Sequence, residues 1–196
     1  YNRKYCIMRI ISGKNRGKKI IIPKNLPVRP TTDQSKESIF NIIAHSKKIN
    51  INLENSNVLD LFSGVGSFGI ECISRGAQKV TFVENYHNVL PILKKNLDNL
   101  KSEINYEIFQ NDIYQNFKIE KLKDKFDLIF LDPPYKDKNL RNILANIYSK
   151  KILNNDGLII VHRHKREDDV FPDFLSVIEE KTYGIAKIIF LTVNLD

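Results

Sequence analysis

The stretch Phe126-Asp-Leu-Ile-Phe-Leu-Asp-Pro-Pro-Tyr135 sets a carboxylate, two prolines and an aromatic ring directly after a short apolar run, Leu128 to Leu131. A run of that length reads as a strand buried on both faces. Consecutive prolines cannot donate to a sheet ladder, so the strand must stop at Asp132. The carboxyl ends of strands in open α/β sheets are where ligands bind. A planar ring carrying an exocyclic amine suits this corner. Asp132 and the Pro133 carbonyl accept the two amine hydrogens, Pro133 and Pro134 keep the acceptors rigid, and Tyr135 stacks on the ring. Accepting both hydrogens concentrates electron density on a nitrogen otherwise conjugated into its ring. That nitrogen then attacks an electrophilic carbon held in line with it. Asp-Pro alone is commonly just a turn; the whole tetrapeptide after a buried strand points to chemistry.

A second constellation lies upstream in Asp60-Leu-Phe-Ser-Gly64-Val-Gly66-Ser-Phe-Gly69. Gly64, Gly66 and Gly69 match G-x-G-x-x-G, a loop that lets backbone approach a ligand at a helix N-terminus. Alone this is weak, and its usual owner binds a dinucleotide. Two details turn the reading. Asp60 would repel a pyrophosphate but welcome an ammonium, and the Asp-Pro-Pro-Tyr corner has no role in hydride transfer. S-adenosylmethionine satisfies both: Asp60 faces its methionine end, Glu84 accepts the ribose hydroxyls and Asp112 accepts the adenine amine. Phe62, Asn85 and Ile113, their sequence neighbours, complete the expected cofactor contacts. Asp127 lies before its strand and is expected to be structural, and Cys72 to be a buried thiol. His162 and His164 share one side of a strand without a third ligand; no metal is expected, and the pair is read as solvated or RNA-facing.

The elements that must position these groups alternate. Strands are expected over 58–62, 80–83, 106–109, 126–131 and 158–161, and helices over 67–75, 86–100 and 139–153. Asn154 to Gly157 reads as a turn. Strands separated by helices imply a doubly wound, mostly parallel Rossmann-like sheet. The end differs: two tightly joined strands, 177–183 and 185–193, give an antiparallel hairpin. Before the sheet, Met8-Arg-Ile-Ile11 and Lys19-Ile-Ile-Ile22 flank a glycine-bearing turn and form a basic β-hairpin, with Lys14, Arg16 and Lys18 near its tip. Thr31-Thr32-Asp33 starts a helix over about 34–46. A polar linker from 47 to 56 divides a basic appendage, residues 1–50, from the main domain, 51–196.

Charge agrees with that division. The chain has 196 residues and a net charge of +8. Residues 1–50 hold twelve Lys and Arg against only Asp33 and Glu37, so they carry +10 and the remainder −2. A basic arm on a near-neutral body is the footprint of a polyanion binder. No apolar run approaches a membrane span, and no opening stretch reads as a secretory signal. Cys6 and Cys72 have neither metal-site nor disulfide-framework spacing, which suits a reducing compartment.

The chain resembles the family of ribosomal RNA small-subunit methyltransferase D, from Met8 to about Leu191. The resemblance is carried by Met8-Arg-Ile-Ile-Ser-Gly13, Arg29-Pro-Thr-Thr-Asp33, Ser38-Ile-Phe-Asn-Ile-Ile43, the glycine loop, Phe82-Val-Glu84, the Asp-Pro-Pro-Tyr corner and Tyr183-Gly184. It implies a class I methyltransferase fold and transfer of a methyl group from S-adenosylmethionine to the N2 amine of a guanine in 16S ribosomal RNA. It also implies that Arg29, Thr31 and Thr32 close over cofactor and base. Arg9, Lys14, Arg16 and Lys18 are the expected phosphate contacts. The expected enzyme is a cytoplasmic monomer acting on RNA or on an assembling 30S particle. After the fifth strand the family usually places Glu where this chain has His162-Arg-His-Lys165, a departure expected to lie outside the chemistry. Other readings compete: methylation of an adenine amine in DNA or of a protein glutamine, a non-catalytic RNA-binding assembly factor, and, more remotely, a nicotinamide oxidoreductase.

Overall fold

The computed structural model describes residues 5–25, 31–100, 105–114, 122, 124–134 and 136–194. Arg29 and Tyr135 lie outside the described residues. The chain opens with an antiparallel hairpin of β1 (Tyr5–Arg9) and β2 (Lys19–Pro23), followed by α1 (Asp33–His45). The Thr32 hydroxyl caps α1 by accepting the Ser35 N–H at 3.2 Å. Then come β3 (Asn57–Leu61), α2 (Ser67–Ser74), β4 (Lys79–Glu84), α3 (Leu90–Asp98), β5 (Tyr106–Gln110), β6 (Phe126–Leu131), α4 (Leu140–Ser149), β7 (Leu153–His164), β8 (Leu175–Tyr183) and β9 (Ala186–Val193).

Seven strands form one sheet in the order β5-β4-β3-β6-β7-β9-β8. The first five are mutually parallel, while β9 runs antiparallel to both β7 and β8. The expected mostly parallel sheet with its antiparallel C-terminal hairpin is therefore present. The order reverses beside β3, the position where an open α/β sheet leaves a crevice above its carboxyl edge.

Pleat alternation divides the core between the two faces. Val58, Val80, Phe82, Leu128, Phe130 and Ile160 pack with α1, α2, α3 and the hairpin residues Ile10, Ile20 and Ile22. Leu59, Leu61, Ile129, Leu131 and Val161 pack with α4 residues Leu140, Ile143, Leu144 and Ile147 on the other face. The first fifty residues thus share one apolar cluster with the sheet.

Three boundaries differ from the expected ones by four residues or more. α3 begins at Leu90 rather than Tyr86, because Pro91 occupies its first turn, where a missing N–H costs nothing. α4 ends at Ser149 rather than 153, and Lys151 turns left-handed with φ 51°. The expected turn at Asn154 to Gly157 is an excursion within β7. The register slips between Phe126↔Leu153 and Leu128↔Leu158, and β7 resumes pairing at once.

The hairpin is bolted to two helices. Glu71 of α2, fully buried, accepts the Ile11 N–H at 2.8 Å and the Ser12 N–H at 3.0 Å. At the foot of α2, the Ser74 carbonyl takes the Lys14 N–H at 2.7 Å, and its hydroxyl bonds the Ser12 carbonyl and Asn15 N–H. Gly13, at φ 82°, allows this approach: a Cβ there would sit 1.7 Å from the Ser74 carbonyl oxygen. Asn96 of α3 pairs with both backbone groups of Ile21 on the outer edge of β2.

Candidate active site

Strand register decides which side chains meet. Asp60 pairs with Phe82 on one side and Phe130 on the other. Glu84 lies two residues beyond Phe82, and Asp132 two beyond Phe130. Ile160, opposite Phe130, is followed two residues on by His162. With a period of two, all four polar residues fall on one face, Asp60 one pleat below the other three. They line a cleft of about 370 Å³ at the carboxyl edge of the sheet. Thr31, Phe62, Gly64, Asn85, Tyr86, Pro133 and Pro134 line it as well. Its floor is an aromatic stack: Phe68 lies on Phe130 with centroids 3.9 Å apart, and Phe40 backs Phe68 at 5.3 Å.

Glu84 organises the glycine loop. One carboxylate oxygen accepts the Gly64 N–H at 2.7 Å; the other accepts the Asn85 and Tyr86 N–H groups at 3.0 and 2.8 Å. Gly66 starts α2 at φ 82°, and a Cβ there would meet Leu93 Cδ1 at 2.4 Å. Asp60, 1% exposed, accepts the Gly69 N–H at 3.0 Å. Burial pushes its carboxyl well above the usual carboxylate range; the Gly69 N–H opposes that, and the charges of Asp132 and Glu84 add to it. Among the described residues, the lining includes three carboxylates and neither lysine nor arginine, and such a set favours a cationic ligand.

The acceptor corner is held from several sides. Asp132 takes the Thr31 hydroxyl on Oδ2 at 3.2 Å and meets His162 Nδ1 through Oδ1 at 2.8 Å. Arg163, 1% exposed, donates to the carbonyls of Pro134 at 3.2 Å and Asp137 at 2.9 Å. Asp169 balances it with two hydrogen bonds of 2.9 Å. Pro133, whose carbonyl is the second acceptor expected from the sequence, lines the cleft beside Asp132.

The structure therefore gathers Asp60, Phe62, Gly64, Glu84, Asn85, Asp132, Pro133, Pro134 and Thr31 around one cleft, with Gly66 and the Thr32 cap directly behind. Asp112 and Ile113 stand apart from its lining. Asp112 accepts the Tyr114 N–H at 2.8 Å, and the Tyr114 ring tilts against Phe62 at 5.4 Å. Burial and the charge of Asp137 beside it push the Tyr114 hydroxyl above its ordinary value. Arg9, Lys14, Arg16 and Lys18 are not at the cleft either. Lys14 and Arg16 are exposed at the hairpin tip beside Ser74, and Lys18 Nζ bonds the Asn99 carbonyl after α3. Both helices start near the cleft and run away from it, so the basic tip lies at the opposite end of the sheet.

Two expectations are corrected. His162 is 6% exposed, lines the cleft and is bonded to Asp132, so it is not a solvated surface residue, and the departure it represents lies inside the site. His164 follows on the same side of β7, as expected, and accepts the Arg166 N–H at 3.2 Å at the strand's end. The missed signal was positional. In β6 and β7 alike, the first polar side chain beyond the apolar run is the one at the cleft. Asp127 has the structural role expected, taking the Asn57 N–H at 2.8 Å and the Asn154 amide at 2.6 Å. Cys72 is buried and free, also as expected.

Comparison with known proteins adds an independent line. The family model described as "Conserved hypothetical protein 95" matches residues 8–192. Ribosomal RNA small subunit methyltransferase D of Haemophilus influenzae is 34% identical over 180 residues, spanning 91% of this chain and 90% of its own. Among solved structures, yhhF from Escherichia coli superposes with a TM-score of 0.77 at 28% identity, covering 96% of this chain and 98% of that one. SMU.776, solved complexed with SAH, shares the fold at 14% identity, with a TM-score of 0.73 over 98% of this chain and 57% of that one.

Proposed function

The chain belongs to the family described as "Conserved hypothetical protein 95", and from that premise we propose that it transfers a methyl group from S-adenosylmethionine to the N2 amine of a guanine in small-subunit ribosomal RNA. One observation carries the reading: a cleft whose described lining residues include three carboxylates and no lysine or arginine, with the Asp-Pro-Pro corner on its wall. The small-subunit RNA methyltransferase among its relatives supports the choice of RNA.

The residues present fit the methyl donor. No cation among the described residues pairs with buried Asp60, and the donor's ammonium would provide one. Glu84 keeps further lone pairs for ribose hydroxyls while bracing Gly64, and Asp112 and Ile113 are assigned to the adenine end, on the Tyr114 side. When bound, S-adenosylmethionine supplies a methyl carbon whose bond to a positively charged sulfur breaks as the amine nitrogen attacks, leaving a neutral thioether. Asp132 and the Pro133 carbonyl accept the amine's two N–H groups and aim its lone pair. The methylated amine then sheds one proton to the Asp132 carboxylate and on to solvent. Asp60 and Glu84 keep this wall of the cleft negative while positive charge resides on the donor and then on the amine. The target base must leave its stack to reach this depth, and Lys14 and Arg16 hold phosphates away from it.

Mass mapping of small-subunit RNA after incubation with protein and labelled donor is the direct test, on naked RNA and on assembling particles in parallel. A new N2-methylguanine is expected; label on an adenine, on a protein glutamine or nowhere overturns the assignment. Asp132→Ala is expected to lower turnover about 10²–10³-fold while donor affinity by calorimetry stays near wild type. Collapse of donor binding instead would remove Asp132 from the amine-accepting role.

A further inference from the structure

We infer that His162 is a positioning residue for methyl transfer, fixing the Asp132 carboxylate through its Nδ1–H; this rests on the reading of Asp132 as the amine acceptor. An ionised Asp132 offers only acceptors, so the 2.8 Å contact requires the proton on Nδ1. Thr31 holds the other carboxylate oxygen. With one anchor on each oxygen, the carboxylate plane cannot rotate freely. The next residue of β7, Arg163, grips the same corner through the Pro134 and Asp137 carbonyls. Consecutive side chains of one strand thus hold the acceptor group and the backbone that carries it.

The imidazole is costly in any other role. His162 ends the apolar run Leu158 to Val161, and its Nε2 is buried with no partner among the described residues. A leucine would continue the run and leave no buried polar atom unsatisfied. What the histidine adds is the bond from Nδ1. The Glu84 carboxylate shares the cleft, so an unanchored Asp132 carboxylate would also be pushed to turn away from it.

The test compares His162→Leu, His162→Asn and His162→Gln in the methyl-transfer assay on RNA. An asparagine amide stands where Nδ1 stood, and a glutamine amide reaches towards the place of Nε2. His162→Leu is expected to fold with an unchanged or raised melting temperature, bind donor as wild type does, and lose about 10–100-fold in kcat. His162→Asn is expected to recover most of that loss and His162→Gln little of it. Wild-type turnover by His162→Leu, or equal rescue by both amides, overturns the inference. Nitrogen NMR of the resting protein gives a readout without turnover: a protonated Nδ1 is expected, and a protonated Nε2 with bare Nδ1 overturns the inference. If wild-type protein methylates some other amine, the guanine assignment fails, while the variants' rates relative to wild type still judge His162 on that amine.

Discussion

Asp60 is the deepest charge in the cleft, and its chemistry is coupled to occupancy. Its proton affinity in the empty protein is raised, chiefly by burial. The folded chain therefore holds a proton that the unfolded chain releases at lower pH, so stability falls as pH climbs from the ordinary carboxylate range to the raised value. Each tenfold change in that proton affinity is worth about 1.4 kcal/mol. Asp60→Asn should flatten this slope, raising the melting temperature of the empty protein at neutral pH, while weakening donor binding. Melting curves between pH 5 and 8, with and without donor, would show both effects; an unchanged slope would mean that Asp60 does not carry the charge assigned to it. Glu84 and Asp132 were legible in the sequence because each is an isolated carboxylate at the end of an apolar run, and Asp60 because it interrupts one just before the glycine loop. His162 and Arg163 were not, because their meaning depends on which strand lies beside β6.

Elements around the site owe their rigidity to a few polar bolts. Glu71 is the main one: fully buried, it satisfies two hairpin N–H groups and accepts Arg75 Nε at 2.9 Å. Glu71→Ala leaves those half-buried donors unpaired, at up to about 1–3 kcal/mol each. Denaturant titration should show that loss, with Ile11 and Ser12 amides exchanging faster than those of the sheet. A loss below about 0.5 kcal/mol would show that apolar packing alone seats the hairpin. The hairpin itself was readable from its glycines and β-branched runs, and α1 from Thr31-Thr32-Asp33. The start of α3 lies four residues later than expected, and Pro91 in its first turn is the local signal that marks it. The Asn154 to Gly157 excursion looked like a chain reversal, since turn residues announce a bend without saying whether pairing resumes.

At the scale of the whole molecule, the first fifty residues touch the sheet at both ends. The basic tip lies at the foot of α2, an eight-residue helix and so about 12 Å from its start. Charge counting found this cationic surface; its distance from the chemistry depended on long-range contacts no local pattern encodes. RNA that fills the cleft and also meets Lys14 and Arg16 must run down this side. Replacing both by Ala should weaken binding and reduce the slope of log affinity against log salt by about 1.4 for a single strand, with kcat at saturating RNA unchanged. An unaltered slope would place the phosphates elsewhere. From the tip the chain returns to the cleft, where the buried Thr31 hydroxyl sits on Asp132. Thr31 thus already sits on one carboxylate oxygen of the acceptor corner. A carboxylate oxygen keeps further lone pairs, so an arriving amine joins that hydroxyl instead of evicting it and meets an anion whose orientation the protein has set beforehand.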